Sequence, residues 1–132
     1  MRRLLIICCI VSFLSCSKDN GVNVKFAGEW ELEGSSSFPF SYRYLPPGNG
    51  NIIILGKDGN FERKRSDTLV FKGNFSIKFK PDCYPNAENA LFFETSEPGS
   101  TGMYIAIKAD KLMLSTSNCL QDGGISTFRK LD

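Results

Sequence analysis

The counts of cysteine and histidine limit the chemistry that this chain can perform. Its 132 residues contain five cysteines and no histidine. Without an imidazole there is no Ser/His/Asp or Cys/His nucleophilic site, no metalloprotease motif of the His-Glu-x-x-His type and no imidazole metal ligand. We therefore expect that the chain is not an enzyme.

Three glutamates are the remaining candidates for acid and base chemistry. Glu29, Glu31 and Glu33 alternate along the chain, so on a strand they share one face with neighbours about 7 Å apart. Two carboxyl groups about 5 to 10 Å apart can act as general acid and base. Nothing nearby is apolar enough to raise the pKa of one of them. We expect these carboxylates to face lysine or arginine on an adjacent strand instead.

The N-terminal segment predicts export of the chain. Two arginines precede an apolar stretch over residues 4–14, and the small Ser15 follows it. The stretch is about half of the ~20 apolar residues that a membrane-spanning helix needs. This layout is typical of a secretory signal peptide, which we place at residues 1–15.

Removal of this segment also changes the charge balance. The 16 basic residues minus Arg2 and Arg3 leave 14, against 14 acidic residues. A balanced chain gives no electrostatic argument for a nucleic-acid partner.

The sequence Phe13-Leu14-Ser15-Cys16 resembles the lipobox of bacterial lipoproteins, in which cleavage before the cysteine lets it carry acyl chains such as palmitate. The resemblance implies that Cys16 anchors the protein to the outer membrane of the cell envelope. Residues 16–25 predict a flexible tether, and their Lys18-Asp19 pair is similar to the signal that directs Bacteroidota lipoproteins to the cell surface. The alternatives are a plain signal peptide or a hydrophobic core segment.

Two cysteines remain after processing, because Cys8 and Cys9 leave with the signal peptide and Cys16 is acylated. The remaining pair, Cys83 and Cys119, predicts a disulfide in an oxidising compartment. Closing that loop would stabilise the fold by roughly 4 kcal/mol in the chain-entropy model. The alternative is two unpaired buried thiols. No histidine or further cysteine completes a metal shell, so we expect neither a metal nor a cofactor.

Alternation of apolar and polar residues predicts strands. From Phe71 to Lys80 every second residue is apolar or glycine, and the others are polar. Turn residues separate similar short segments, and no mature segment of 10 or more residues shows a helical period. We predict an all-β fold of about eight antiparallel strands that form an up-and-down barrel or a sandwich. The segments are 29–33, 52–55, 61–65, 71–80, 90–95, 103–107, 112–114 and 125–131.

A family resemblance favours the barrel. Gly28-Glu29-Trp30 on the first strand, with Arg129 near the end of the last, resembles the lipocalin and calycin pattern. In that pattern the tryptophan closes one barrel end and a basic residue packs across it. The order of Lys57-Asp58-Gly59-Asn60-Phe61 and Gly73-Asn74-Phe75 is similar to small lipocalin-like lipoproteins of Bacteroidota. The resemblance implies a lipocalin-like barrel over residues 26–132, closed structurally by Gly28, Trp30 and Arg129.

An aromatic segment follows the first strand. Phe38, Phe40, Tyr42 and Tyr44 alternate with other residues where lipocalin-type barrels place a loop over the open mouth. They can line a pocket for an apolar ligand or form the core of a strand. Our first hypothesis is a lipid-anchored lipocalin-like protein that binds an apolar or amphipathic small molecule. The alternative is a surface interaction protein whose barrel is filled with side chains and holds no ligand.

Overall fold

A computed structural model of the chain describes residues 21–37, 39–80, 91–116 and 123–132. Within these residues the fold consists of strands and one short helix. Cys16, Phe38, Cys83 and Cys119 lie outside the described residues. Acylation of Cys16 and the Cys83–Cys119 disulfide therefore stay predictions.

Eight of the nine strands in the described residues coincide with the eight predicted segments, and β2 is the addition. The all-β prediction is confirmed, because alternation and turn residues are local signals that neighbouring residues carry by themselves. The elements are α1 (Gly21–Phe26), β1 (Gly28–Ser37), β2 (Phe40–Tyr44), β3 (Ile52–Leu55), β4 (Asn60–Arg65), β5 (Thr68–Phe79), β6 (Leu91–Thr95), β7 (Met103–Lys108), β8 (Lys111–Ser115) and β9 (Ile125–Lys130).

Pairing of β1 with β9 closes the sheet into a barrel. The strand order is β2-β1-β3-β4-β5-β6-β7-β8-β9, and each described pairing is antiparallel. Strand β3 pairs with the first part of β1, and β2 pairs with the last part, from Gly34 to Ser37. Eight strands thus form a closed barrel to which β2 is attached. We call the end where β1 begins the base, and the end where β1 meets β2 the mouth.

Large apolar side chains fill the interior from the base upward. The ring centroid of Phe93 lies 6.0 Å from that of Phe61 and 5.7 Å from that of Phe75. Burial of each such side chain stabilises the fold by about 1.5–3 kcal/mol. The buried cluster comprises Phe26, Trp30, Ile53, Leu55, Phe61, Phe75, Phe93, Ile105, Leu112, Leu114 and Phe128.

The helix α1 packs against the base. Phe26 is fully buried, and its carbonyl oxygen accepts a hydrogen bond of 2.9 Å from Nε1 of Trp30. Asn23 is also buried. Residues 21–25, which the sequence assigned to the flexible tether, are therefore helical. A helix of six residues is marginal alone, so burial of Phe26 stabilises it. Six residues are too few to show the repeating apolar pattern from which a helix is predicted.

Trp30 is 2% exposed and lies in the core at the base. The cation over its ring is Lys130, whose Nζ lies 5.8 Å from the ring centroid. This corrects the prediction that Arg129 packs across the ring. In the β1–β9 register Trp30 is opposite Lys130, and Arg129 is opposite Glu31 on the other face of the sheet. Gly28, beside the indole, has a φ of 144°, a conformation that favours glycine.

We predict that Trp30→Ala lowers the free energy of unfolding by about 3–5 kcal/mol, because it leaves a cavity among the core side chains at the base. Urea denaturation followed by circular dichroism measures this change. Tryptophan fluorescence cannot follow it, because the substitution removes the single tryptophan of the chain. Lys130→Gln is the matched control and should cost about 1 kcal/mol or less. A Trp30→Ala protein as stable as the control would contradict the assignment of Trp30 to the core.

Candidate functional site

The barrel mouth contains a cavity of about 370 Å³. Its apolar floor includes Met103 and Leu114, while Phe40 and Arg43 of β2 stand at its edge. Most of the remaining wall is hydroxylic, so the cavity combines apolar and hydrogen-bonding surfaces, as ligand sites do. The hydroxyl residues are Ser35, Ser36, Ser37, Ser41, Thr116 and Ser126.

A second cavity of about 190 Å³ lies beside the first. Leu32, Ile53 and Phe128 contribute apolar surface. Leu32 pairs with Phe128 across β1 and β9, and three residues further along β1 Ser35 pairs with Ser126 in the first cavity. The two cavities are therefore on successive inward-facing positions of the same strand pair. The other residues that line the second cavity are Asn51, Ile52, Arg63, Lys64 and Arg65.

Side-chain size along β1 explains why the space lies at the mouth. The inward positions of β1 are Trp30 and Leu32 near the base, and then Ser35. The opposite residue on β9 changes likewise from Phe128 to Ser126. Small residues cannot fill the width of an eight-stranded barrel, so the interior is packed at the base and open at the mouth.

An ion pair links β4 to the connection between β6 and β7. Nε of Arg63 on β4 donates to Oε2 of Glu97 at 3.1 Å, and its Nη2 contacts Oε1 of the same carboxylate. Glu97 belongs to the connection between β6 and β7. The two-point contact fixes the guanidinium and neutralises its charge. Arg63 thus holds the β6–β7 connection in position against β4.

A second ion pair lies on the outer face of the barrel. Glu31 is 2% exposed, and its carboxylate accepts hydrogen bonds from the backbone N–H groups of Gly48 at 3.0 Å and Gly50 at 3.2 Å. Nε of Arg129 lies 3.4 Å from Oε2 of Glu31, and its Nη2 donates to the carbonyl of Leu45 at 2.7 Å. These contacts hold the connection between β2 and β3 against the barrel wall.

Two of the three glutamates of β1 therefore have structural contacts. Glu33 pairs with Lys111 at 2.8 Å, and Glu31 pairs with Arg129. The expectation that these carboxylates face a basic residue on an adjacent strand is confirmed for Glu31, since Arg129 is on β9, whereas Lys111 is on β8, one strand further away. Within the described ranges Glu29 takes part in no ion pair. Neither Glu31 nor Glu33 lines the two mouth cavities.

Only one of the described aromatic candidates reaches the mouth cavity. Phe40 lines it and is 75% exposed. Tyr42 packs over Gly34, where an added Cβ would lie 2.5 Å from the ring, and Tyr44 contacts Tyr42 edge to face at 4.5 Å. Tyr44 is 76% exposed, so it belongs neither to a pocket nor to a core. Phe38 lies outside the described residues.

The sequence pattern did not single out Arg43, Ser35 and Ser126 as residues of this site. A period of two along β2 places Ser41 and Arg43 on the face opposite Tyr42 and Tyr44. That alternation was visible in the sequence. The sequence did not show which of the two faces turns inward, because the register of the β1–β2 pair decides it.

Comparisons of the chain with protein-family models, curated proteins and solved structures found no match. Within the described ranges, no group of three or more cysteine, aspartate or glutamate side chains could hold a metal ion. The described part of the chain also has no helix long and apolar enough to cross a membrane.

We predict that Glu31→Ala lowers the free energy of unfolding by about 3 kcal/mol, because the N–H groups of Gly48 and Gly50 lose their acceptor and Arg129 loses its ion-pair partner. Chemical denaturation measures the change. Glu29→Ala is the matched control on the same strand, where the side chain is exposed, and should change stability by about 0.5 kcal/mol or less. Equal losses in the two variants would show that the Glu31 contacts add no stability.

Proposed function

We propose that this chain is a lipid-anchored lipocalin-like protein of the cell envelope that binds an apolar or amphipathic small molecule at the barrel mouth. The observation that carries the proposal is the cavity of about 370 Å³, which falls within the size range of small-molecule sites. The closed antiparallel barrel of eight strands is compatible with a lipocalin-like fold. The protein is not proposed to catalyse a reaction.

The filled base sets where such a ligand binds. Phe61, Phe75 and Phe93 occupy the interior that a deep ligand cavity would need. The ligand is therefore held among the smaller residues of the mouth, with Met103 and Leu114 beneath it. Part of the ligand stays in contact with solvent, which favours an amphipathic molecule over a wholly apolar one.

We propose that the anchor extends from the base, the end of the barrel opposite the mouth. The helix α1 begins at Gly21 and packs at the base through Phe26. Four residues lie between Cys16 and Gly21, so five Cα-to-Cα steps give a reach of at most about 18 Å. With Cys16 acylated, the base faces the membrane and the mouth faces away, where a ligand can enter.

A second candidate function is binding of another protein through the outer surface of β2. Phe40 and Tyr44 are 75% and 76% exposed there, which is high for large aromatic side chains. Aromatic residues are enriched at protein interfaces. In this alternative the mouth holds no ligand.

Binding of the neutral fluorophore phenylnaphthylamine distinguishes these functions. We expect fluorescence enhancement with the purified protein, and Ser126→Phe should weaken binding by about tenfold or more because the new ring fills the mouth cavity. Glu29→Phe places the same ring on an exposed position of β1 that lines neither mouth cavity, and should leave binding unchanged. Absence of binding to the unmodified protein, or full binding by Ser126→Phe, would exclude the mouth as the ligand site.

The anchor has its own test. We expect Cys16→Ser to remove the acyl chains, detected by mass spectrometry, and to release the protein from the membrane fraction, because stable attachment depends on buried acyl chains. Ser17→Ala is the control and should stay in that fraction. A Cys16→Ser protein that remains membrane-bound would contradict acyl anchoring.

A further inference from the structure

The charges that line the two mouth cavities are all of one sign. Arg43 lines the larger cavity, and Arg63, Lys64 and Arg65 line the smaller one. No aspartate or glutamate is among the described residues that line either cavity.

Only one of these four cations is neutralised by a partner. The carboxylate of Glu97 contacts the guanidinium of Arg63 through both of its oxygen atoms. Across the described ranges, Arg43, Lys64 and Arg65 take part in no ion pair. The carboxylate closest to Arg65 along the chain, Asp67, is in the β4–β5 turn and lines neither cavity. Among the described residues, the positive charge of Arg43, Lys64 and Arg65 at the mouth is therefore not compensated by an ion pair.

Arginine is suited to the recognition of oxyanions. Its planar guanidinium donates paired hydrogen bonds that fit a carboxylate, sulfonate or phosphate group. Serine hydroxyls beside it, such as those of Ser35 and Ser41, can donate further hydrogen bonds to the same group. Below these polar groups lie the apolar Leu32, Ile53 and Phe128. A polar cationic rim above an apolar floor is complementary to a molecule that has an anionic head and an apolar body.

We infer that the mouth selects an anionic amphiphile, whose oxyanion head lies among the rim arginines and whose apolar body lies on the floor. This inference rests on the proposed function and names the ligand class for the same site. Arg43 and Arg65 are the residues that set the charge preference, since Arg63 is already paired with Glu97.

Two related fluorophores test the charge preference. Anilinonaphthalene sulfonate and phenylnaphthylamine share one ring system, and only the first carries an oxyanion. We expect the sulfonate to bind the purified protein more tightly than the neutral compound. The double variant Arg43→Gln/Arg65→Gln should weaken sulfonate binding by about tenfold and change phenylnaphthylamine binding by about twofold or less.

Two further variants test whether sulfonate affinity depends on the positive charge at positions 43 and 65, and not on folding or on the net charge of the protein. Arg43→Lys/Arg65→Lys keeps both charges and should retain most of the sulfonate affinity. Lys57→Gln removes a charge from the exposed turn between β3 and β4 at the base, and should leave both affinities unchanged. Unchanged phenylnaphthylamine binding by the glutamine variant shows that its mouth is still folded.

The outcomes distinguish this inference from the proposed function. If neither fluorophore binds, the proposed function fails, and the inference fails with it. If phenylnaphthylamine binds and the glutamine variant loses no sulfonate affinity, the function stands and the anionic preference is overturned. Displacement of the sulfonate fluorophore by inorganic sulfate, but not by chloride at equal ionic strength, would also overturn it by showing a site for the bare anion.

Discussion

Closure of the barrel between β1 and β9 is the constraint on which the other features depend. Strand β1 pairs with β9 along its length, with β3 near the base and with β2 near the mouth. The contacts of Glu31 with Arg129 and with the connection after β2 join these three neighbours on the outer face. The arrangement depends on this register, because a shift of one residue would turn each side chain to the opposite face.

The same strand divides the interior into a packed base and an open mouth. Trp30 and Leu32 meet the aromatic side chains of β4, β5 and β6, whereas Ser35 leaves space beside Ser126. The base stabilises the fold, and the mouth leaves space in the interior. Dense packing at the base supplies most of the burial that stabilises a domain of this size, so small polar residues at the mouth can be tolerated where a ligand would bind.

Charge is also distributed unevenly between the two faces of the sheet. On the outer face glutamates meet lysines, as in the pairs Glu62–Lys72 at 3.0 Å and Glu94–Lys78 at 2.6 Å. Exposed pairs of this kind contribute little to stability. These glutamates are neutralised on the outer face, whereas Arg43 and Arg65 at the mouth form no ion pair within the described ranges. Within the described part of the chain, the mouth is therefore a cationic site.

The sequence by itself determined where the barrel strands lie, because alternation and turn residues act between near neighbours, and it excluded histidine chemistry by composition. Only the tertiary structure decided which residues meet. It placed Lys130 at the ring of Trp30, turned Tyr42 and Tyr44 outward, and made α1 helical through burial of Phe26. It also brought arginines of β2 and β4 to one mouth. These outcomes depend on register and closure, which are set by contacts between residues far apart in the chain and leave no local pattern in the sequence.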